Sequence, residues 1–190
     1  MQKYLVPILA GLGAAVVAGA LFGALLGEDI LNYFMGAFVG FFTFYILANL
    51  AGNRKVAMAS VADRDQAAKL EPVAGKVLLC VYREGFVGSA AGLNISVDGK
   101  DLAQLKSPRF TCVTLEPGAH SLTAAFGGFA GPQNKPTLFE FQAEGGAVLA
   151  VKVAIAMGML RNSLTFARAA DIEPLKTKLA MTQMVVAAPL

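Results

Sequence analysis

From Tyr4 to Gly27, and again from Ile30 to Gly52, no position is charged, and only Glu28 and Asp29 separate the two runs. At a 1.5 Å rise per residue, either run as a helix reaches across roughly 30 Å of hydrocarbon, so the pattern predicts a transmembrane hairpin over residues 1–53. Small residues return at every fourth position of the first run: Gly11, Ala15, Gly19, Gly23 and Gly27. The second run carries a shorter version, Gly36 and Gly40, among many aromatic residues. Positions i and i+4 share a helix face, so these residues predict a stripe almost bare of side chains. In lipid, close backbone approach across such a stripe is what holds helices together. Two uses stay open: packing between the hairpin's own helices, and assembly with a second copy or with other membrane subunits. Lys3 and the small residues near Ala18 fit a cleaved signal only loosely, and the apolar run is long for one, so the first helix is read as retained.

Past Asn53 the pattern changes twice. Residues 54–72 are alanine-rich and free of glycine until Pro72, which predicts a helical linker that continues the second membrane helix. Residues 73–182 then break into short runs rich in β-branched and aromatic side chains, in places strictly alternating, as at Ile95 and Val97 or Phe139 and Phe141. Asp98-Gly99, Glu116-Pro117-Gly118 and Glu144-Gly145-Gly146 punctuate them as turns. The expected strands are 76–83, 93–98, 100–105, 109–115, 119–126, 137–143, 147–155 and 161–168, followed by a helix over 175–181 and a tail at 183–190. Such an order predicts a mainly β protein, an antiparallel sandwich of about 7–8 strands, behind a two-helix anchor.

Charge placement sets an orientation. Lys3, Arg54, Lys55, Arg64 and Lys69 flank the hairpin, whereas its turn holds only acids. The positive-inside rule then puts both ends in the cytoplasm and predicts a multi-pass membrane protein with a cytoplasmic β domain, the alternative being a β domain on the opposite side. Arg54 and Lys55 are also placed to meet anionic headgroups. Overall, 56% of the 190 residues are hydrophobic, above the roughly 45–50% of a soluble domain, and the hairpin accounts for the excess. A net charge of +3 with scattered basic residues does not make the basic stripe that nucleic-acid binding needs.

Three segments carry a resemblance: VYREGFVGSAAGLNISVDGK (81–100), LEPGAHSL (115–122) and VKVAIAMGMLRNSLTFARA (151–169). They resemble the bacterial envelope domain known as domain of unknown function 2846, over about residues 75–181. That resemblance implies a β-sandwich, often lipid-anchored, with no assigned activity, and with the hairpin it implies the bacterial inner membrane, where the alternative side for the β domain is the periplasm. The chain departs from the family in having a hairpin, glycine-zipper-like, where a lipidated cysteine often stands, and in SPRF (107–110) at a strand entry.

Candidate chemistry is sparse. His120 is the only histidine, so a catalytic relay or a histidine metal site has nothing else to build on, and a role in fixing the Pro-Gly turn is the simpler reading. The loop GFVGSAAG (85–92) lacks the Gly-Lys-Ser/Thr ending of a phosphate loop and leads into a strand. Cys80 and Cys112 lie in apolar runs with no Cys-x-x-Cys, and read as small buried hydrophobes. No catalytic, cofactor or metal residue is assigned. Strand parity collects the long loops 84–92, 106–108, 127–136 and 156–160 at one end, expected to be the tip away from the bilayer. Phe86, Arg109, Phe129, Lys135, Met157 and Met159, with Lys106 and Arg161, make that tip the candidate partner-binding surface. The alternative is that its apolar residues plug the end of the sandwich.

Overall fold

The computed structural model describes residues 2–27, 29–86, 88–133, 135–156 and 162–190. They form two units, Met1–Asn53 with Gly128–Ala130, and Arg54–Gly127 with Gly131–Leu190.

The first unit is a helical hairpin, α1 (Leu5–Leu26) and α2 (Ile30–Leu50), both long and apolar enough to cross a membrane. Pro7 falls in the first turn of α1, where an amide N–H would have no helical partner anyway. The amide and threonine side chains of α2 are bonded to backbone. Thr43 Oγ1 donates to Val39 O at 2.9 Å, Asn49 Nδ2 to Tyr45 O at 2.9 Å, and the buried Asn32 donates to Gly27 O. Polar groups satisfied inside their own segment suit a lipid surround.

The second unit has three layers. Strands β1 (Val77–Arg83), β4 (Arg109–Leu115), β7 (Val148–Ala156), β8 (Ser163–Arg168) and β9 (Gln183–Met184) form one sheet in the order β8-β7-β1-β4-β9. Strands β2 (Leu93–Val97), β3 (Lys100–Leu105), β5 (Gly118–Phe126) and β6 (Thr137–Ala143) form the other, in the order β3-β2-β5-β6. Between them lies the main core, with Leu79, Val81, Ile95, Leu105, Leu122 and Val151 fully covered. The outer face of the first sheet is covered in turn by α3 (Val61–Ala68) and α4 (Glu173–Ala180). Leu70, Leu175 and Leu179 meet Leu78, Cys80 and Phe110 there. Central β1 is therefore buried on both faces, which is why VLLCVYR is a continuous apolar run rather than an alternating one.

The expected mainly β fold with a helical N-terminus is what forms, and eight strands fall close to their predicted spans. The sandwich is mostly rather than wholly antiparallel: β1 pairs in parallel with β7, and β4 with β9. The helix expected over 54–72 occupies only Val61–Ala68. Ser60 caps it by accepting the Asp63 N–H at 3.1 Å, and Leu70, at φ +49, turns the chain out before Pro72 is reached. Upstream of the cap the chain is extended. Met58 bridges Val185 antiparallel, Ala59 N–H donates to Met184 O at 3.0 Å, and Val186 N–H donates to Ala57 O at 3.0 Å. The supposed tail is likewise built in: Val185 N–H donates to Phe110 O and Ala188 N–H to Leu102 O, both at 2.8 Å, so it runs along β4 and β3.

Candidate functional site

In the hairpin the small-residue stripe is used over part of its length. Gly11, Gly19, Gly36 and Gly40 are buried. A methyl group built on Gly40 would stand 2.5 Å from Ala15 Cβ and 2.6 Å from Gly11 O; one on Gly36 would stand 2.7 Å from Gly19 N and 2.8 Å from Ala15 O. Gly11, likewise, leaves no room beside Phe44 Cβ at 2.8 Å. Backbones thus meet where only hydrogen fits. By contrast a Cβ on Gly19, Gly23 or Gly27 would meet nothing within 4 Å. Gly19 still meets Gly36 of α2 through its backbone, whereas Gly23 and Gly27 have no such contact, so the end of the stripe beyond Gly19 is not taken up by α2.

In the β unit, strand register brings the long loops together as parity predicts, because Arg83 pairs with Arg109 and Leu93 with Phe126. Gly127 N–H donates to Gly92 O at 3.1 Å, and Ser107 Oγ to Gly85 O at 2.7 Å. At their centre is a side chain that sequence reasoning passed over. Arg83, 2% exposed, donates through Nη1 to Leu105 O at 3.0 Å and to Ala91 O, and through Nη2 to Gly88 O at 2.6 Å. Burial pushes its guanidinium down to about 10, so it stays charged at neutral pH. A planar donor fork suits three converging carbonyls. The next residue, Glu84, takes Lys152 at 2.6 Å and Lys178 as ion partners. The loop that follows is therefore pinned at its base, and it holds Phe86 93% exposed.

The other candidates separate. Phe129 is not on a free tip: it belongs to the hairpin unit, where its ring lies edge-on to Tyr4, Phe44 and Tyr45 at 5.7–6.3 Å. Parity sorts loops into two groups but carries no information on which ring in a group packs against other aromatics and which stays exposed, so it placed Phe129 beside Phe86. Lys135 is exposed, whereas Arg109 and Lys106 are half-buried. Met157, Met159 and Arg161 lie outside the described residues. Arg54 is held by Asp101 in a two-pronged ion pair at 2.7 and 3.0 Å rather than left free for headgroups.

His120 fixes turns. Its Nδ1 is 2.7 Å from Asp98 Oδ2 and its Nε2 is 2.8 Å from Glu116 O. Both partners are acceptors, so both ring nitrogens are satisfied only when both carry protons. Partial burial opposes that charge, but the hydrogen bonds to Asp98 and Glu116 outweigh it and raise the ring's pKa. Burial also opposes the Asp98 charge, and His120 with the Ser121 N–H outweighs it, so the carboxyl is lowered. Asp98 sits at φ +50 in the Asp98-Gly99 turn, which this clamp ties to β5. The raised histidine contributes stability that is complete below about pH 6.5 and is lost as pH rises through its folded value. The lowered aspartate contributes above about pH 4, and that part is lost as pH falls through its folded value. NMR titration of this single histidine is expected to give a value above the ordinary one, falling toward it in Asp98→Asn.

Among the described residues, no three His, Cys, Asp or Glu side chains converge as metal ligands would. Compared with models of known protein families and with curated proteins, the chain matches none.

Proposed function

We propose that this chain is a non-enzymatic accessory protein of a bacterial membrane assembly. Its hairpin spans the inner membrane as a two-pass anchor with both ends in the cytoplasm, and its β unit docks other membrane subunits. One observation carries the reading: Phe86 is 93% exposed on a loop whose base is fixed by the buried Arg83. A large apolar ring held out on a pinned loop is a pre-organised anchor, and such rings dominate interface energies. Exposed Lys135, on another loop of the same end, supplies rim charge. The lone histidine, the residue an enzyme would most need, is committed to a turn.

A second reading is assembly of identical copies through the helices. It is favoured by the open end of the stripe, Gly23 and Gly27, which a neighbouring helix could cover. Purification in mild detergent, with the mass of the intact complex measured, separates the two. A complex with a different polypeptide, lost in Phe86→Ala, supports docking; truncating a true anchor costs more than ~2 kcal/mol. A complex containing only this chain, insensitive to Phe86→Ala but broken by Gly23→Leu, supports the alternative.

A further inference from the structure

Cys80 of β1 and Cys112 of β4 are direct partners in the antiparallel register, and both are free thiols. Opposite residues on such strands point to the same face with Cβ atoms about 4.5–5.5 Å apart. Here that face is the one beneath α3 and α4, where both side chains join the smaller core. Their environments differ. Cys80 is wholly buried. Cys112 is half-buried and lines a groove of 570 Å³, with Gln66 and Ala67 of α3 and the C-terminal residues Met184 and Leu190. The hydrogen bond to Cys112, and then burial, hold the Cys80 thiol protonated.

We propose that Cys80 and Cys112 form a modification site: a dithiol that closes to an intramolecular disulfide by exchange with a low-molecular-weight disulfide entering along the groove. The asymmetry assigns the roles. Cys112, the reachable sulfur, gives up its proton and attacks one sulfur of the incoming disulfide, forming a mixed disulfide and releasing one small thiol. Cys80 then loses its proton and attacks the Cys112 sulfur, expelling the second small thiol. The protein is oxidised by two electrons and the small disulfide reduced to two thiols, so atoms and charge balance. Bonded cysteines want Cβ atoms about 3.5–4.5 Å apart, a range that the spacing of opposite residues meets at its near edge. Exchange runs in both directions, so an excess of small thiol reopens the bond and the site is reversible rather than a permanent staple.

The test uses the full-length protein in detergent, treated with oxidised glutathione and read by intact mass and by alkylation of remaining thiols. Wild type is expected to lose two hydrogens in mass and both alkylation sites, and dithiothreitol is expected to restore them. In Cys80→Ser the reaction should stop at one glutathione on Cys112; in Cys112→Ser nothing should add. Wild type that ends as a stable glutathione adduct, that links two chains, or that stays reduced would overturn the proposal. So would glutathione adding to Cys80 in Cys112→Ser.

Discussion

Replacing Arg83 with methionine is expected to destabilise the β unit by about 2–5 kcal/mol, because the buried Leu105 carbonyl loses its donor where water does not replace it, and the carbonyls of exposed Gly88 and half-buried Ala91 trade theirs for water. That is a large share of the roughly 5–15 kcal/mol that holds a typical domain. The backbone there cannot relax freely: Gly88 is at φ +60, and a Cβ on it would meet Ile155 Cδ1 at 2.7 Å. Arg83→Lys keeps a charge but loses the fork, so an intermediate loss is expected. Thermal unfolding of the full-length protein checks this, with a midpoint lowered by more than ~10 °C for the methionine variant. A midpoint within a degree or two of wild type would show that the loop does not depend on the clamp.

The second large effect is expected in the hairpin. Gly36→Ala and Gly40→Ala each place a methyl group where the facing backbone stands within 2.8 Å, so the helices must separate along the contact. Overpacking of this kind costs about 1–3 kcal/mol. Gly23→Ala, whose methyl meets nothing, is the matched control. Cross-linking between cysteines placed on facing positions of α1 and α2 should fall in the first two variants and hold in the third. Equal cross-linking in all three would remove the glycine contact from the account.

What the chain made legible follows from how local each signal is. The two uncharged runs and the alternation at Ile95–Val97 and Phe139–Phe141 act over a few residues, and the corresponding helices and strands formed where expected. Asp98-Gly99 was readable as a turn for the same reason, since both residues take positive φ. Residues 54–60 were misread because their alanine-rich composition favours helix, whereas their strand-like partner, Met184 to Val186, lies far along the chain. Leu70, placed in the helical linker, is 2% exposed under α4, a contact no periodicity within the linker could reveal. Arg83 carried no signal either: at the end of an apolar run it reads as a strand terminus meeting water, and only the return of Gly88, Ala91 and Leu105 makes it internal. Phe129 and Phe86 looked alike on glycine-containing loops, and the structure separates them into a ring 37% exposed with aromatic neighbours and one 93% exposed.

The proposed placement, a hairpin that crosses the bilayer with the β unit on the cytoplasmic side, is tested most directly by labelling from outside intact cells. Single cysteines are introduced as Asp29→Cys, in the hairpin turn, and Gly99→Cys, in the β2–β3 turn, each with Cys80→Ala and Cys112→Ala, and exposed to a membrane-impermeant maleimide. Asp29→Cys is expected to be labelled in intact cells and Gly99→Cys only after the membrane is opened. Labelling of Gly99→Cys in intact cells would contradict that placement, whether the hairpin is inverted or does not span the bilayer.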